Sequence, residues 1–214
     1  MKKIFTLLAL TIGFSMNAQM DDNSANNNSA GIYAVAMGYQ TTASGNYSTA
    51  MGYQSTASAY YAVAMGYYTQ ASGHYSTAMG DSTSASGSRS TAMGYGTVAS
   101  GGISTAMGRS TTASGWFSTA MGGYTTASGQ NSTAMGFNTT ASDYSSTVIG
   151  QYNSSGSSAT SAGGFSTSNT AFVIGNGADS SNKSDAFKVM FNGDTTVSND
   201  LTVSGDVVIS SDAR

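Results

Sequence analysis

The sequence predicts an all-β protein built as a solenoid of 14-residue coils, and three observations predict it. Alanine recurs every seven residues without a gap from Ala36 to Ala141. Every second one opens an Ala-Met-Gly, from Met37-Gly38 to Met135-Gly136, and the alternate half reads Ala-Ser-Gly or close to it, as at Ala43-Ser44-Gly45 and Ala127-Ser128-Gly129. Most other repeat positions are Ser or Thr, and the chain has no proline. A fixed period of this size marks stacked repeats, each covering the face of its neighbour.

A seven-residue period also describes a coiled coil, but the fixed positions argue against one. Heptads need large apolar residues at two positions, whereas these are Ala and Gly, and each helical Gly costs about 1 kcal/mol. Collagen fails because Gly does not recur every third residue. The alternative that fits is a pair of short strands per coil, stacked on the next coil at about 4.8 Å.

Alternation along the strands assigns their faces. In Thr41–Gly45, residues 41, 43 and 45 share one side. In Ser48–Gly52, residues 48, 50 and 52 do the same. Both sides are uniformly small, so two such strands facing each other form a very flat coil. The opposite sides differ: one strand shows Thr-x-Ser, the other Thr-x-Met. Met37, Met51, Met65, Met79, Met93, Met107, Met121 and Met135 then form one apolar stripe outside the coil. A stripe of that extent marks an interface, and these eight residues are the expected contact in an oligomer. Pattern alone leaves open the inverse arrangement, with Met inside and the small residues outside.

The two residues after each Gly vary and belong at turns. They collect aromatic residues: Tyr39, Tyr47, Tyr53, Tyr61, Tyr68, Tyr75, Trp116 and Phe117 are candidate ligand contacts, accompanied by Tyr60, Tyr67, Tyr95 and Tyr124. Aromatics on rigid turns suit contact with another surface; covering gaps between coils or chains is the other reading.

Residues 1–18 read as an export signal. Lys2 and Lys3 precede an apolar stretch from Ile4 to Phe14 and a small-residue exit ending at Ala18. The stretch is too short to span a bilayer, so no direct membrane insertion by this portion is expected. A polar segment follows at 19–28, then the repeats at 29–150. An irregular transition occupies 151–182, within which Ala171-Phe172-Val173-Ile174-Gly175 restores one repeat-like strand out of phase. A β-rich shaft or neck is expected at 183–214, where Phe191-Asn-Gly-Asp194, Val197-Ser-Asn-Asp200, Val203-Ser-Gly-Asp206 and Ile209-Ser-Ser-Asp212 recur every six residues. Such units read as short strands with tight turns; a disordered linker is the alternative.

The repeats resemble the head domain of trimeric autotransporter adhesins, the YadA-like family, whose repeats have the form Ser-x-Ala-x-Gly on a 14-residue period. Ser48-Thr49-Ala50-Met51-Gly52 and its seven relatives carry the resemblance, which covers about residues 29 to 150. It implies a left-handed parallel β-roll assembled as a parallel homotrimer, and a non-enzymatic exported adhesin attaching to host, matrix or other cell surfaces. The ligand it implies is an extracellular protein or glycan. Met stands where the family more often has Val or Ile, a change that packing tolerates. The family's coiled-coil stalk and membrane barrel have no counterpart in this sequence. The hexads resemble β-structured phage tail-fibre shafts. The closing Ser211-Asp212-Ala213-Arg214 resembles the entry to a tailspike-type intramolecular chaperone domain. Because a slip of 14 residues superimposes Met on Met, the repeats do not fix the register of three chains. A trimerising domain after Arg214 is therefore expected.

Composition excludes several functions. Charged residues make up 8 %, and only Asp81, Arg89, Arg109 and Asp143 carry charge between residues 31 and 150, so no basic nucleic-acid footprint exists. There is no Cys and no Glu, and the single His, His74, stands at a turn beside Tyr75. No nucleophile–base pair or carboxylate pair emerges, so no enzyme and no cofactor are expected. Asp179, Asp185 and Asp194 lack the spacing of calcium loops. Two further readings stay open: a spacer without a ligand, and an ice- or crystal-binding solenoid. The latter would use the hydroxyl ladder Thr42/Ser44, Thr112/Ser114, Thr126/Ser128 and Thr140/Ser142, interrupted at Val63, Gln70, Ser84 and Val98.

Overall fold

The computed structural model describes residues 27–202, and these form a parallel β-solenoid with a short antiparallel extension. Five-residue strands alternate with two-residue strands. The first coils are β1 (Val35–Tyr39), β2 (Thr42–Ala43), β3 (Thr49–Tyr53), β4 (Thr56–Ala57), β5 (Val63–Tyr67) and β6 (Gln70–Ala71). The middle coils hold β7 (Thr77–Asp81), β8 (Ser84–Ala85), β9 (Thr91–Tyr95), β10 (Val98–Ala99), β11 (Thr105–Arg109) and β12 (Thr112–Ala113). Next come β13 (Thr119–Gly123), β14 (Thr126–Ala127), β15 (Thr133–Phe137), β16 (Thr140–Ala141) and β17 (Thr147–Gln151). The last three are β18 (Thr170–Asn176), β19 (Asp185–Met190) and β20 (Thr195–Val197). Long strands stack into one sheet of 12 and short strands into an opposing sheet of eight.

The small side faces inward. Every alanine of the seven-residue series is fully buried, as are Thr41, Ser48 and their equivalents. The inverse arrangement is thereby excluded: the methionines lie half-buried on the outer face of the long-strand sheet. A core of methyl groups gives little hydrophobic stabilisation per coil, about 0.8 kcal/mol for each buried carbon. Continuity of the backbone ladder carries the rest. Strand N–H groups donate forward to the next coil, as Thr49 N–H does to the carbonyl of Ala62 at 2.9 Å. At the turns the direction reverses: Tyr47 N–H donates back to Ile32 at 2.8 Å and Gln54 N–H back to Tyr39 at 2.8 Å.

That reversal requires left-handed backbone. Tyr47 sits at φ 58° and Gln54 at φ 51°, and equivalent residues in successive coils match them. A non-glycine residue there costs about 1–2 kcal/mol, offset by a ladder hydrogen bond of about 1 kcal/mol and by ring stacking described below. Two residues depart from the sequence expectation. Gly52, expected on the inward side with Ala50, is exposed and lies at φ 113°, because the long strand bends through it and continues to Tyr53. The two strands of a coil are therefore unequal. Val63, expected in the hydroxyl ladder, stands instead in β5 beside Ala64 in the long-strand sheet.

Some inward hydroxyls are satisfied locally. Ser104 and Ser118 donate to the carbonyls of Gly101 and Gly115 at 2.7 Å, and Ser146 to Asp143 at 2.9 Å. The buried hydroxyls of Ser48, Ser76, Ser90 and Ser132, and of Thr83, Thr97, Thr111, Thr125 and Thr139, make no such bond.

The repeat-like strand at 171–175 rejoins the solenoid as β18, with Val148 facing Val173 and Gly150 facing Gly175. The loop between β17 and β18 closes the end of the roll. Asp143 occupies the Gly column at this point, is 1 % exposed, and accepts backbone N–H groups from Thr160 at 2.6 Å and Thr170 at 2.8 Å. Beyond β18 the chain turns back as the antiparallel β19–β20 hairpin. Its turn is the first hexad, where Asp194 N–H donates to Asn192 Oδ1 at 2.9 Å. The export signal, most of 19–28, and the hexads from Val203 to Arg214 lie outside the described residues.

Candidate functional site

The strands place the candidate residues in straight columns. Met37 faces Met51, then Met65, Met79 and Met93 in turn, and the column continues through Met107 and Met121 to Met135. No other residue type interrupts it. Each methionine of the column is half-buried. Thr49, Thr77, Thr91 and their equivalents, with Val35 and Val63, flank it on the same side of the sheet.

The turn aromatics stack because coil spacing matches ring spacing. On one edge Tyr33, Tyr47, Tyr61 and Tyr75 form a continuous stack, with centroids 5.3, 4.8 and 5.3 Å apart. Arg89 extends it, its guanidinium 5.5 Å from the Tyr75 ring centre. On the other edge Tyr39, Tyr53 and Tyr67 stack at 5.1 Å intervals. Parallel stacking leaves ring edges and phenol oxygens outermost. Two rings break the pattern: Tyr60 stands nearly perpendicular to Tyr61 at 89° and Tyr68 to Tyr67 at 85°.

Crowding alters the phenols. Partial loss of water raises Tyr53 above the ordinary tyrosine value, with repulsion from Tyr68 and Tyr39 adding to it. Tyr60 is raised first by the same loss of water and then by its hydrogen bond with Tyr61. These rings stay neutral in ordinary buffers and present hydroxyl donors.

Farther along the roll the aromatics thin out. Trp116 and Phe117 meet edge to face at 6.0 Å, and Arg109 lies 5.4 Å from the Tyr124 ring centre. Sequence spacing missed Tyr33, although it stands one period before Tyr47. It also left Tyr60 and Tyr67 out of the leading candidates, although Tyr60 touches Tyr47, Tyr61 and Tyr75. The 14-residue step from Tyr53 to Tyr67 was the available signal.

His74 stands on the first of these edges, where its carbonyl accepts the Arg89 N–H at 2.7 Å. Among the described residues no three His, Cys, Asp or Glu side chains gather as metal ligands, and no helix is long and apolar enough to cross a membrane. Asp179 closes its own loop through Ser181, Asn182 and the Asn182 side chain. Asp185 accepts the Ser154 and Ser155 N–H groups at 2.8 Å each.

Among curated proteins none matches this chain. The sequence profile of the YadA head domain repeat matches it five times, at residues 29–55, 43–69, 71–97, 99–125 and 127–153. These matches run from the first coil to Asn153, and the parallel strand β18 lies beyond them. The chain belongs to the YadA head domain family, and its repeats form an adhesin-type head.

Proposed function

We propose that the chain is the exported head of a homotrimeric surface adhesin, attaching through repeated faces to host, matrix or other cell surfaces. The unbroken Met column supports the assembly. It is an in-register apolar strip along one face of the long-strand sheet, and a second and third copy would cover it. The aromatic edges lie at the turns to either side of that strip and remain available for contact. Three chains of repeated weak sites gain avidity that one coil lacks. The chemistry is binding without catalysis.

The test is retention on immobilised matrix proteins and on fixed cells, compared with an unrelated β-solenoid of similar length. The proposal expects retention that falls when the assembly is dissociated by charged substitutions in the Met column. Retention no better than the unrelated rod contradicts it.

A further inference from the structure

One edge of the roll carries a break in its side-chain cover. The first turn position reads Tyr60, His74, Ser88, Gly102 and Trp116 in successive coils. Ser88 and Gly102 are the two consecutive small residues, and they leave a notch of about 340 Å³ lined by Ser86, Ser88, Arg89, Ser100, Ile103 and Trp116. That volume lies at the low end for small-molecule sites. Trp116 is 61 % exposed, and its indole lies against Gly102, where an added Cβ would sit 3.4 Å from the ring. Ser86 and Ser100 follow β8 and β10, so the notch opens on the short-strand side, away from the Met face.

The notch combines three chemistries in a small space. The indole offers an apolar wall for C–H groups. Three seryl hydroxyls donate and accept. Arg89 adds a positive charge held over the Tyr75 ring. The two acids of the repeats are engaged elsewhere: Asp81 accepts from Ser82 on the opposite edge, and Asp143 accepts the backbone of the closing loop. A ring with C–H faces, several hydroxyls and one carboxylate matches all three features.

We propose that this notch binds a carboxylate-bearing sugar unit, packed on Trp116 with its carboxylate on Arg89. The proposal rests on the attachment reading and deepens it by naming a ligand class for one site. It is read in solution, so its failure leaves attachment through other faces untouched.

Trp116 is the single tryptophan of the chain, and its emission therefore reports on this notch alone. The experiment titrates the intact protein with a hyaluronan hexasaccharide and with sialyllactose, using chitohexaose and lactose as neutral counterparts. A saturable change in Trp116 emission is expected with at least one acidic sugar, weakening as salt rises; the responding sugar identifies the uronate or sialate source. Arg89→Gln should weaken binding at least tenfold. Ser88→Tyr should abolish it by filling the notch with a residue that Tyr60 and Tyr144 show the column accepts. No response to either acidic sugar at millimolar concentration, equal response to the neutral ones, or undiminished binding by Ser88→Tyr would overturn the proposal.

Discussion

Asn27 and Asn153 occupy the same column of the solenoid, a whole number of 14-residue periods apart, and each turns its side-chain amide onto the backbone of an adjacent coil. Between them the column holds only Thr and Ser. Asn27 Oδ1 accepts the Thr41 N–H at 3.0 Å, while its Nδ2 donates to the Gly38 carbonyl at 2.8 Å. Asn153 Oδ1 accepts the Thr140 N–H at 2.8 Å, and its Nδ2 donates to the Thr140 carbonyl at 2.9 Å. A side-chain amide thus stands in for the next peptide group. Exposed strand edges recruit other chains, and Asn153 blunts the edge of β16, the last strand of the short-strand sheet.

Asn153→Ala should therefore cost about 1–3 kcal/mol, since the Thr140 groups lose a buried partner. Asn153→Asp should do no better, because the carboxylate lacks the Nδ2 donors. Thermal melting gives the stability change. Faster amide hydrogen exchange at Thr140, with central short-strand positions such as Ser84 unchanged, would locate it at the end of the roll.

Two glycines that both lie at positive φ should respond very differently. At Gly108, φ is 116° and an added Cβ would overlap the carbonyl oxygen of Gly122. Gly108→Ala should destabilise by more than about 2 kcal/mol, combining strain with a clash. At Gly96, φ is 61° and an added Cβ meets only Ser110 Oγ at 3.6 Å, in a turn position that Gln54, Tyr68 and Asn138 occupy in other coils. Gly96→Asn should change stability by less than about 1 kcal/mol. Chemical denaturation of both variants checks the contrast.

The loop at Asp179 should loosen in acid. Its carboxylate is held below the ordinary aspartate range, first by the Asn182 side chain and then by the Ser181 and Asn182 N–H groups. A carboxylate with a lowered native value contributes stability above its unfolded value and loses it as pH falls through the native one. Order at 178–184 should persist at neutral pH and weaken below about pH 4. Proton exchange or chemical-shift titration at Asn182 measures this; an unchanged loop at pH 2 would contradict it.

The roll was legible in the sequence because its determinants are periodic. Ala36 through Ala141 announce the coil, and alternation places Met51 opposite Ala50. The unequal strands were not legible, since Gly45 and Gly52 look alike in sequence and differ only in φ and exposure. The ends were hidden for another reason: a cap is a single departure from the pattern. In sequence Asp143 is one of four charges within the repeats and Asn153 falls in the irregular transition, although each holds the closing loop. Stacking of Tyr33, Tyr47, Tyr61 and Tyr75 follows from the period, whereas the notch at Trp116 depends on two small residues falling side by side.

Whether the Met column is a contact between three copies of the chain is tested most directly by sedimentation equilibrium of the purified protein, alongside a Met79→Asp/Met93→Asp variant. Each buried thioether is worth about 1.5–3 kcal/mol, and two charges per chain at the contact should dissociate it while leaving the inward alanines untouched. Three chain masses are expected for the native protein, and one chain mass with an unchanged β-sheet circular dichroism spectrum for the variant. A native protein that sediments as a single chain would contradict the trimeric contact.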